Sequence, residues 1–140
     1  MPIIGIDYGD KRIGIAKSDL TCTLAGAICT IEADGMRLAV EKTAGKLTEL
    51  GAELVVIGMP RNMDGTEGFR AQRTREFAER LSEKCSLPVE FMDERLTTSQ
   101  AYTYMNESGF NGSHKRKKVI DALSAQIILQ SWIDSRKNKL

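Results

Sequence analysis

Apolar and polar positions follow two periods along this chain, and the switches between them mark out its elements. Ile3–Tyr8 is a β-prone apolar run that ends at Gly9, and Ile13–Lys17 follows a short polar turn. These two segments are expected to pair as a hairpin. Leu24–Ile31 is a third candidate strand, diluted by Ala25, Gly26 and Ala27. A helical period then begins, with Met36, Val40, Ala44, Leu47 and Gly51 at spacings of three and four. Asp34 is the expected cap of that helix and Gly51 its stop. Leu54–Met59 (LVVIGM) has no polar side chain, as expected of a central strand covered on both faces. The segment PRNMDGT leads into a helix expected over 67–84, with Phe77, Ala78, Leu81 and Cys85 on its inner stripe. Pro88–Met92 is the fifth strand. Thr97 and Gln100 have capping-box spacing, so a helix is expected to follow DERL and to end near Gly109. A last helix is expected over 115–136.

The order is three strands, helix, strand, helix, strand, helix, helix. Three leading strands predict an antiparallel meander, and the alternation after them predicts two parallel strands added through helical crossovers. The expected architecture is α/β, a five-stranded mixed sheet with helices on both faces. At 140 residues, without repeats or a Pro/Ser-rich linker, the chain reads as one domain over 1–140, able to bury a core without staples. No window approaches the roughly 18 apolar residues of a membrane span, and the opening MPIIGID reads as a strand rather than a leader. Cys22, Cys29 and Cys85 have neither CxxC spacing nor histidine company, so they are expected to fill core positions in a reducing, cytoplasmic setting.

The formal net charge of +1 does not advertise nucleic-acid binding, but the basic residues are clustered. Lys11 and Arg12 adjoin in one turn, Arg70, Arg73 and Arg75 open one helix, and 114–118 reads HKRKK. A near-neutral total can conceal a basic face beside an acidic pocket. Three acids stand where stability alone would not place them. Asp7 lies in a strand otherwise reading IIGI, where a buried carboxylate needs a partner or a metal, although an acid at a strand end can also turn to solvent. Asp93-Glu94-Arg95 closes the fifth strand, at the carboxyl end where open α/β sheets bind ligands. Alternation lets only one of Asp93 and Glu94 face a common centre, and an acid–Arg95 surface pair is the other reading. Asp121 shares a helical stripe with Ala125, Ile128 and Trp132, so it looks toward the core edge. An acid near a helix N-terminus is also favoured by the macrodipole.

Two strand-end acids and one helical acid suit Mg²⁺ or Mn²⁺, which take carboxylate oxygens and retain waters for phosphates. His114, the sole histidine, is expected in solvent. Gly9 and Gly14 bracket the turn around Lys11 and Arg12, where a phosphate backbone could approach the main chain. GMPRNMDGTEG joins a strand to a helix N-terminus, either as an anion site or as a connector in which Asp64 bonds the first helical turn.

The segments GIDYGDKRIGIAKSD, VVIGMPRNMDGTEG, FMDERLTTSQA and KKVIDALSAQIILQSWI, in this order, closely resemble the YqgF family, also called RuvX-like. The resemblance covers nearly the whole chain. It implies an RNase H-like nuclease with a metal-dependent acidic site, of a family described as resolvases of Holliday junctions and as nucleases maturing the small-subunit ribosomal RNA. Carried over, the acids are Asp7, one in the DER triplet, and Asp121. Glu94 is preferred to Asp93 because related junction resolvases have Glu in that role. RNase H proper uses a further carboxylate with no placed counterpart here, so one or two ions are both allowed. Candidate contacts to nucleic acid are Lys11, Arg12, Arg61, Arg95, Lys115, Arg116, Lys117 and Lys118. Precursor 16S rRNA stands ahead of branched DNA as substrate on the family's behaviour alone; the residues do not choose between monomer and homodimer. Two other classes compete. A phosphotransferase or ATPase could share the DYG turn, but such proteins pair two domains of this kind. A non-catalytic nucleic-acid or ribosome-binding protein would not need the three acids.

The HKRKK run generates a prediction. Phosphate contacts position a strand without reading sequence, and each adds about −0.7 to the salt slope for single strands. Neutralising Arg116, Lys117 and Lys118 together should weaken binding across sequences and flatten the slope in a salt titration. Wild-type affinity and slope would reduce the run to a solvated helix start.

Overall fold

The computed structural model describes residues 1–94 and 113–137, with the side chains of 113–118 and 137 outside the description. Five strands form one sheet: β1 (Ile3–Tyr8), β2 (Arg12–Ser18), β3 (Ala25–Glu32), β4 (Leu54–Met59) and β5 (Val89–Asp93). Their order is β3-β2-β1-β4-β5. β1 pairs antiparallel with β2, and β2 with β3, which makes the meander; β4 joins β1 in parallel and β5 joins β4 in parallel. The helices are α1 (Met36–Leu50), α2 (Phe69–Cys85) and α3 (Ser113–Lys137). The sheet is therefore the mixed one expected from the order of periods. The helix expected over 97–109 lies outside the described residues.

Strand alternation sends successive side chains to opposite faces and so builds two cores. Ile4, Ile6 and Tyr8 of β1, Ile13 and Ile15 of β2, and Val55 and Ile57 of β4 pack under α1 and α2. The alternate residues Ile3, Ala16, Leu54 and Val56 meet Ala125, Ile128, Leu129 and Ile133 of α3. The apolar run of β4 is buried throughout because helices cover both sides of it. Cys29 and Cys85 border the first core and Cys22 the second, all as free, half-buried thiols.

Under α3 the sheet is nearly bare backbone. A Cβ on Gly5 would stand 2.7 Å from Leu129 Cβ and 2.8 Å from the Ala125 carbonyl oxygen. A Cβ on Gly14 would land on the carbonyl oxygen of Asp121. The helix thus rests on β1 and β2 at a distance that only glycine allows.

Two expected caps are corrected. Asp34 does not cap α1; Gly35, at φ 90°, is the N-cap, and no side chain bonds the first turn there. Gly35 reaches that left-handed conformation without steric penalty, and the chain enters the helix through it. Asp64 does not bond the first turn of α2 either. Its carboxylate accepts bonds from the Thr66 amide (3.0 Å) and hydroxyl (2.6 Å), which tie the loop to itself, and α2 begins behind Gly68. Gly51 ends α1 in the left-handed conformation as expected, its amide donating to Thr48.

Gly14→Ala should destabilise the fold by about 1–3 kcal/mol or more, because helix or strand must move to admit the methyl group. Urea denaturation measures it. A loss below about half a kcal/mol would show that α3 is free to lift away.

Candidate active site

Asp7, Glu94 and Asp121 reach one end of the sheet by three separate routes. Asp7 is the penultimate residue of β1 and belongs to the alternation that faces α3, after Ile3 and Gly5. Glu94 directly follows β5 on the face shared by Met92, which packs in the α3 core, and Glu90, which bonds Trp132 and Arg136 of α3. Asp93 belongs to the alternate positions. The pleat therefore brings Glu94, rather than Asp93, toward α3. Asp121 sits on α3 directly over Gly14, and Gly14 is the cross-strand partner of Asp7.

Room for Glu94 comes from β4. A Cβ on Gly58 would stand 2.7 Å from Glu94 Cγ and 2.8 Å from its Cδ, so the acid's stem lies over that glycine. β4 is the strand between β1 and β5, which carries the Glu94 carboxyl across to Asp7. The Asp7 and Glu94 carboxyls stand side by side, close enough for a bond between them to count among the causes that raise the Asp7 pKa. The Asp7 pKa lies well above the ordinary 3.8: burial is the largest cause, then the charge of Glu94 and this bond, then the charge of Asp121, with Arg70 opposing. Asp121 is also raised by burial, against the pull of Arg12, whose Nε–H donates to Asp121 Oδ2 at 2.9 Å.

Among the described residues, no three Asp, Glu, His or Cys side chains are grouped closely enough to hold one ion as they stand. Asp7 and Glu94 form a close pair, and Asp121 is turned to Arg12. The donor set nevertheless fits a divalent cation. Burial and neighbouring carboxyls disfavour a charge on Asp7, which a nearby cation would offset, and hard cations such as Mg²⁺ and Mn²⁺ take oxygen ligands of this kind.

The cationic candidates separate into groups. Arg12 is at the site through Asp121. Lys11 is exposed beside it, on a cavity of about 410 Å³ that also adjoins Asp34, Leu38 and Lys42. Arg61 and Arg75 both pair with Glu67, at 3.6 and 2.5 Å, so part of that cluster holds the loop before α2 to its helix. Arg73 reaches Asp10 at 3.3 Å. Lys115, Arg116, Lys117 and Lys118 belong to the start of α3, ahead of Asp121, with side chains outside the description, and Arg95 lies outside the described residues altogether. Sequence reasoning treated Arg70 only as one of a helical cluster, yet it is exposed in the first turn of α2 and its charge acts on Asp7. Its signal was its place: a cation at a helix start, just after the loop that leaves a central parallel strand. Gly58 was also passed over, inside an apolar run that hid its purpose.

A family model described as "RuvX: Holliday junction resolvase" matches residues 1–135. A relative from Thermoanaerobacter pseudethanolicus is 41% identical over 139 residues, covering 99% of this chain and all of its own length. Another, from Caldanaerobacter subterraneus, is 44% identical over 138 residues and 99% of each chain. Both carry the name "Putative pre-16S rRNA nuclease". Among solved structures, T. thermophilus RuvC in complex with a Holliday junction substrate matches at a TM-score of 0.63 and 14% identity, over 99% of this chain and 96% of that one. The fowlpox virus resolvase with its Holliday junction matches at 0.63 and 16%, over 97% and 99%. At these identities the structural likeness establishes the RNase H-like fold alone.

The raised Asp7 pKa predicts a pH-dependent stability of definite sign. Between 3.8 and its raised value the folded chain binds a proton that the unfolded chain has released, so stability falls as pH rises through that window. Asp7→Asn removes the penalty. In chelator at neutral pH the variant should be more stable than wild type, and the difference should vanish below pH 3.8. Mn²⁺ should reverse the ranking by stabilising wild type alone. A variant less stable than wild type in chelator would contradict the buried carboxyl pair.

Proposed function

Because this chain belongs to the RuvX family, we propose that it is a nuclease hydrolysing phosphodiester bonds in structured nucleic acid, and that its substrate is precursor 16S rRNA, trimmed at its 5′ end. The observation that carries the reading is the placement of the three acids at one end of the sheet: Asp7 near the end of β1, Glu94 over Gly58 after β5, and Asp121 over Gly14, the cross-strand partner of Asp7. Burial raises the pKa of Asp7 and of Asp121, a cost that holding a cation against a phosphate would offset.

Asp7, Glu94 and Asp121 would hold Mg²⁺ or Mn²⁺. A divalent ion supplies activation of water and neutralisation of charge on the transferring phosphoryl group. The chain's own residues do the rest. Asp7, whose pKa burial raises in the free protein, would hold the cation as a carboxylate. Gly58 and Gly14 fix where the carboxylates stand, so that little reorganisation remains when substrate arrives. Arg70, in the first turn of α2, acts on Asp7 through its charge, and Arg12 bonds Asp121 with exposed Lys11 next to it in sequence, so cations for a phosphate backbone accompany two of the three acids. These contacts attract phosphates and do not discriminate bases.

The description of the matching family as Holliday junction resolvases favours a second reading, in which branched DNA is cut by the same site. A cytoplasmic setting accompanies the rRNA reading; among the described residues no helix is long and apolar enough to cross a membrane.

The test offers precursor 16S rRNA and a four-way DNA junction to the purified protein in Mg²⁺. Cleavage of the RNA at its mature 5′ end is expected, with loss in EDTA and a fall of at least about a hundredfold in Asp7→Asn and Asp121→Asn, both folded. Junction cleavage alone would move the substrate to DNA. Full activity in EDTA or in either variant would sink the metal mechanism.

A further inference from the structure

Arg12 and Asp121 are far apart in sequence and are joined across the face of the sheet by the Nε–H···Oδ2 bond of 2.9 Å. Both remain accessible, with 30% and 20% of their side chains exposed. The backbone beneath the pair is fixed, because the Asp121 carbonyl occupies the space that Gly14 leaves. Any change in the pair is therefore a change of side-chain rotamer, with helix and strand standing still. The Arg12 side chain also borders the cavity of about 410 Å³, so it has somewhere to go. Lys11 and Lys42 adjoin that cavity, and so do Glu32 and Asp34, which keep the basin from being a strong anion trap by itself.

We propose that Arg12 is a placeholder cation, holding Asp121 aside in the free protein and passing to a backbone phosphate when nucleic acid arrives, which releases Asp121 toward the ion. This rests on the nuclease reading above. The same carboxylate cannot give its lone pairs fully to a guanidinium and to a divalent ion at once. The pairing accounts for why Asp7 and Glu94 stand together while Asp121 does not complete a three-acid group. A guanidinium is well suited to the exchange, since carboxylate and phosphate present similar planar pairs of acceptor oxygens. The exchange couples substrate binding to metal binding, and by linkage each must strengthen the other. The device favours assembly of the full acidic site only on nucleic acid, and Arg12 is thus a positioning residue for Asp121.

A double-mutant cycle in chelator, where no cleavage occurs, tests the handover by binding alone. Affinity for a short single-stranded RNA is measured for wild type, Arg12→Gln, Asp121→Asn and the double variant, with folding checked by thermal melts and Arg12→Lys as a charge-retaining control. Asp121→Asn should tighten RNA binding by roughly threefold or more when Arg12 is present, because the guanidinium is freed, and should do little in the Arg12→Gln background. If the gain came only from removing a negative charge, it would persist without Arg12, and the handover is then wrong. In parallel, Arg12→Gln should tighten Mn²⁺ binding in calorimetry by a similar factor without RNA, whereas unchanged Mn²⁺ affinity overturns the proposal. Wild type that binds neither Mn²⁺ nor RNA would overturn the nuclease reading and the handover together; normal binding with an additive cycle overturns the handover alone.

Discussion

Helix α3 lies against β1 and β2 with backbone close to backbone, and the geometry of the acidic site follows from that approach. Gly5 and Gly14 have no side chain where Leu129, Ala125 and Asp121 come down on the sheet. With any Cβ at Gly14 the helix would stand off, and Asp121 would move away from the cross-strand partner of Asp7. The same shortage of side chains recurs at Gly58, which admits the stem of Glu94. Three glycines on three adjacent strands let α3 and the Glu94 stem come down close on one face of a sheet that is otherwise packed with isoleucine and valine.

That arrangement sets up an electrostatic conflict that the rest of the site moderates. Burial and mutual repulsion push Asp7 toward the neutral acid, Arg70 works in the other direction, and Arg12 engages Asp121. The opposite face of the sheet, closed under α1 and α2 and containing the stacked rings of Tyr8 and Phe77, supplies the rigid background against which this tension is held. A site that is uncomfortable without a cation is what a metal-dependent nuclease is expected to have, because the free energy of removing that discomfort adds to metal affinity.

Much of this was legible in the order of residues. β1 and β4 announced themselves at their observed bounds, since a short apolar run ended by Gly or Pro has few other ways to fold. Alternation along β5 said only that one of Asp93 and Glu94 could face the centre, and the resemblance, not the period, preferred Glu94; the helical stripe of Asp121 with Ala125 and Ile128 pointed the third acid inward. What failed were local capping rules. Asp34 and Asp64 had the right chemistry for caps, but Gly35 and Gly68 supplied the backbone turn instead and left those carboxylates to other bonds or to solvent. Pairings between distant segments were invisible: nothing in DKRIG names Asp121 as the partner of Arg12, and nothing in LVVIGM shows that Gly58 clears space for an acid on the next strand. Helical packing decides such contacts, and sequence period gives only their side.

The central claim is that Asp7 and Glu94, with Asp121 drawn in, hold a divalent cation. Anomalous diffraction from a crystal of the wild-type protein soaked in Mn²⁺ tests it most directly. The account predicts a manganese peak between the carboxylates of Asp7 and Glu94, coordinated through their oxygens. A well-diffracting, fully soaked crystal with no peak there, or with its only strong peak elsewhere on the surface, would contradict it.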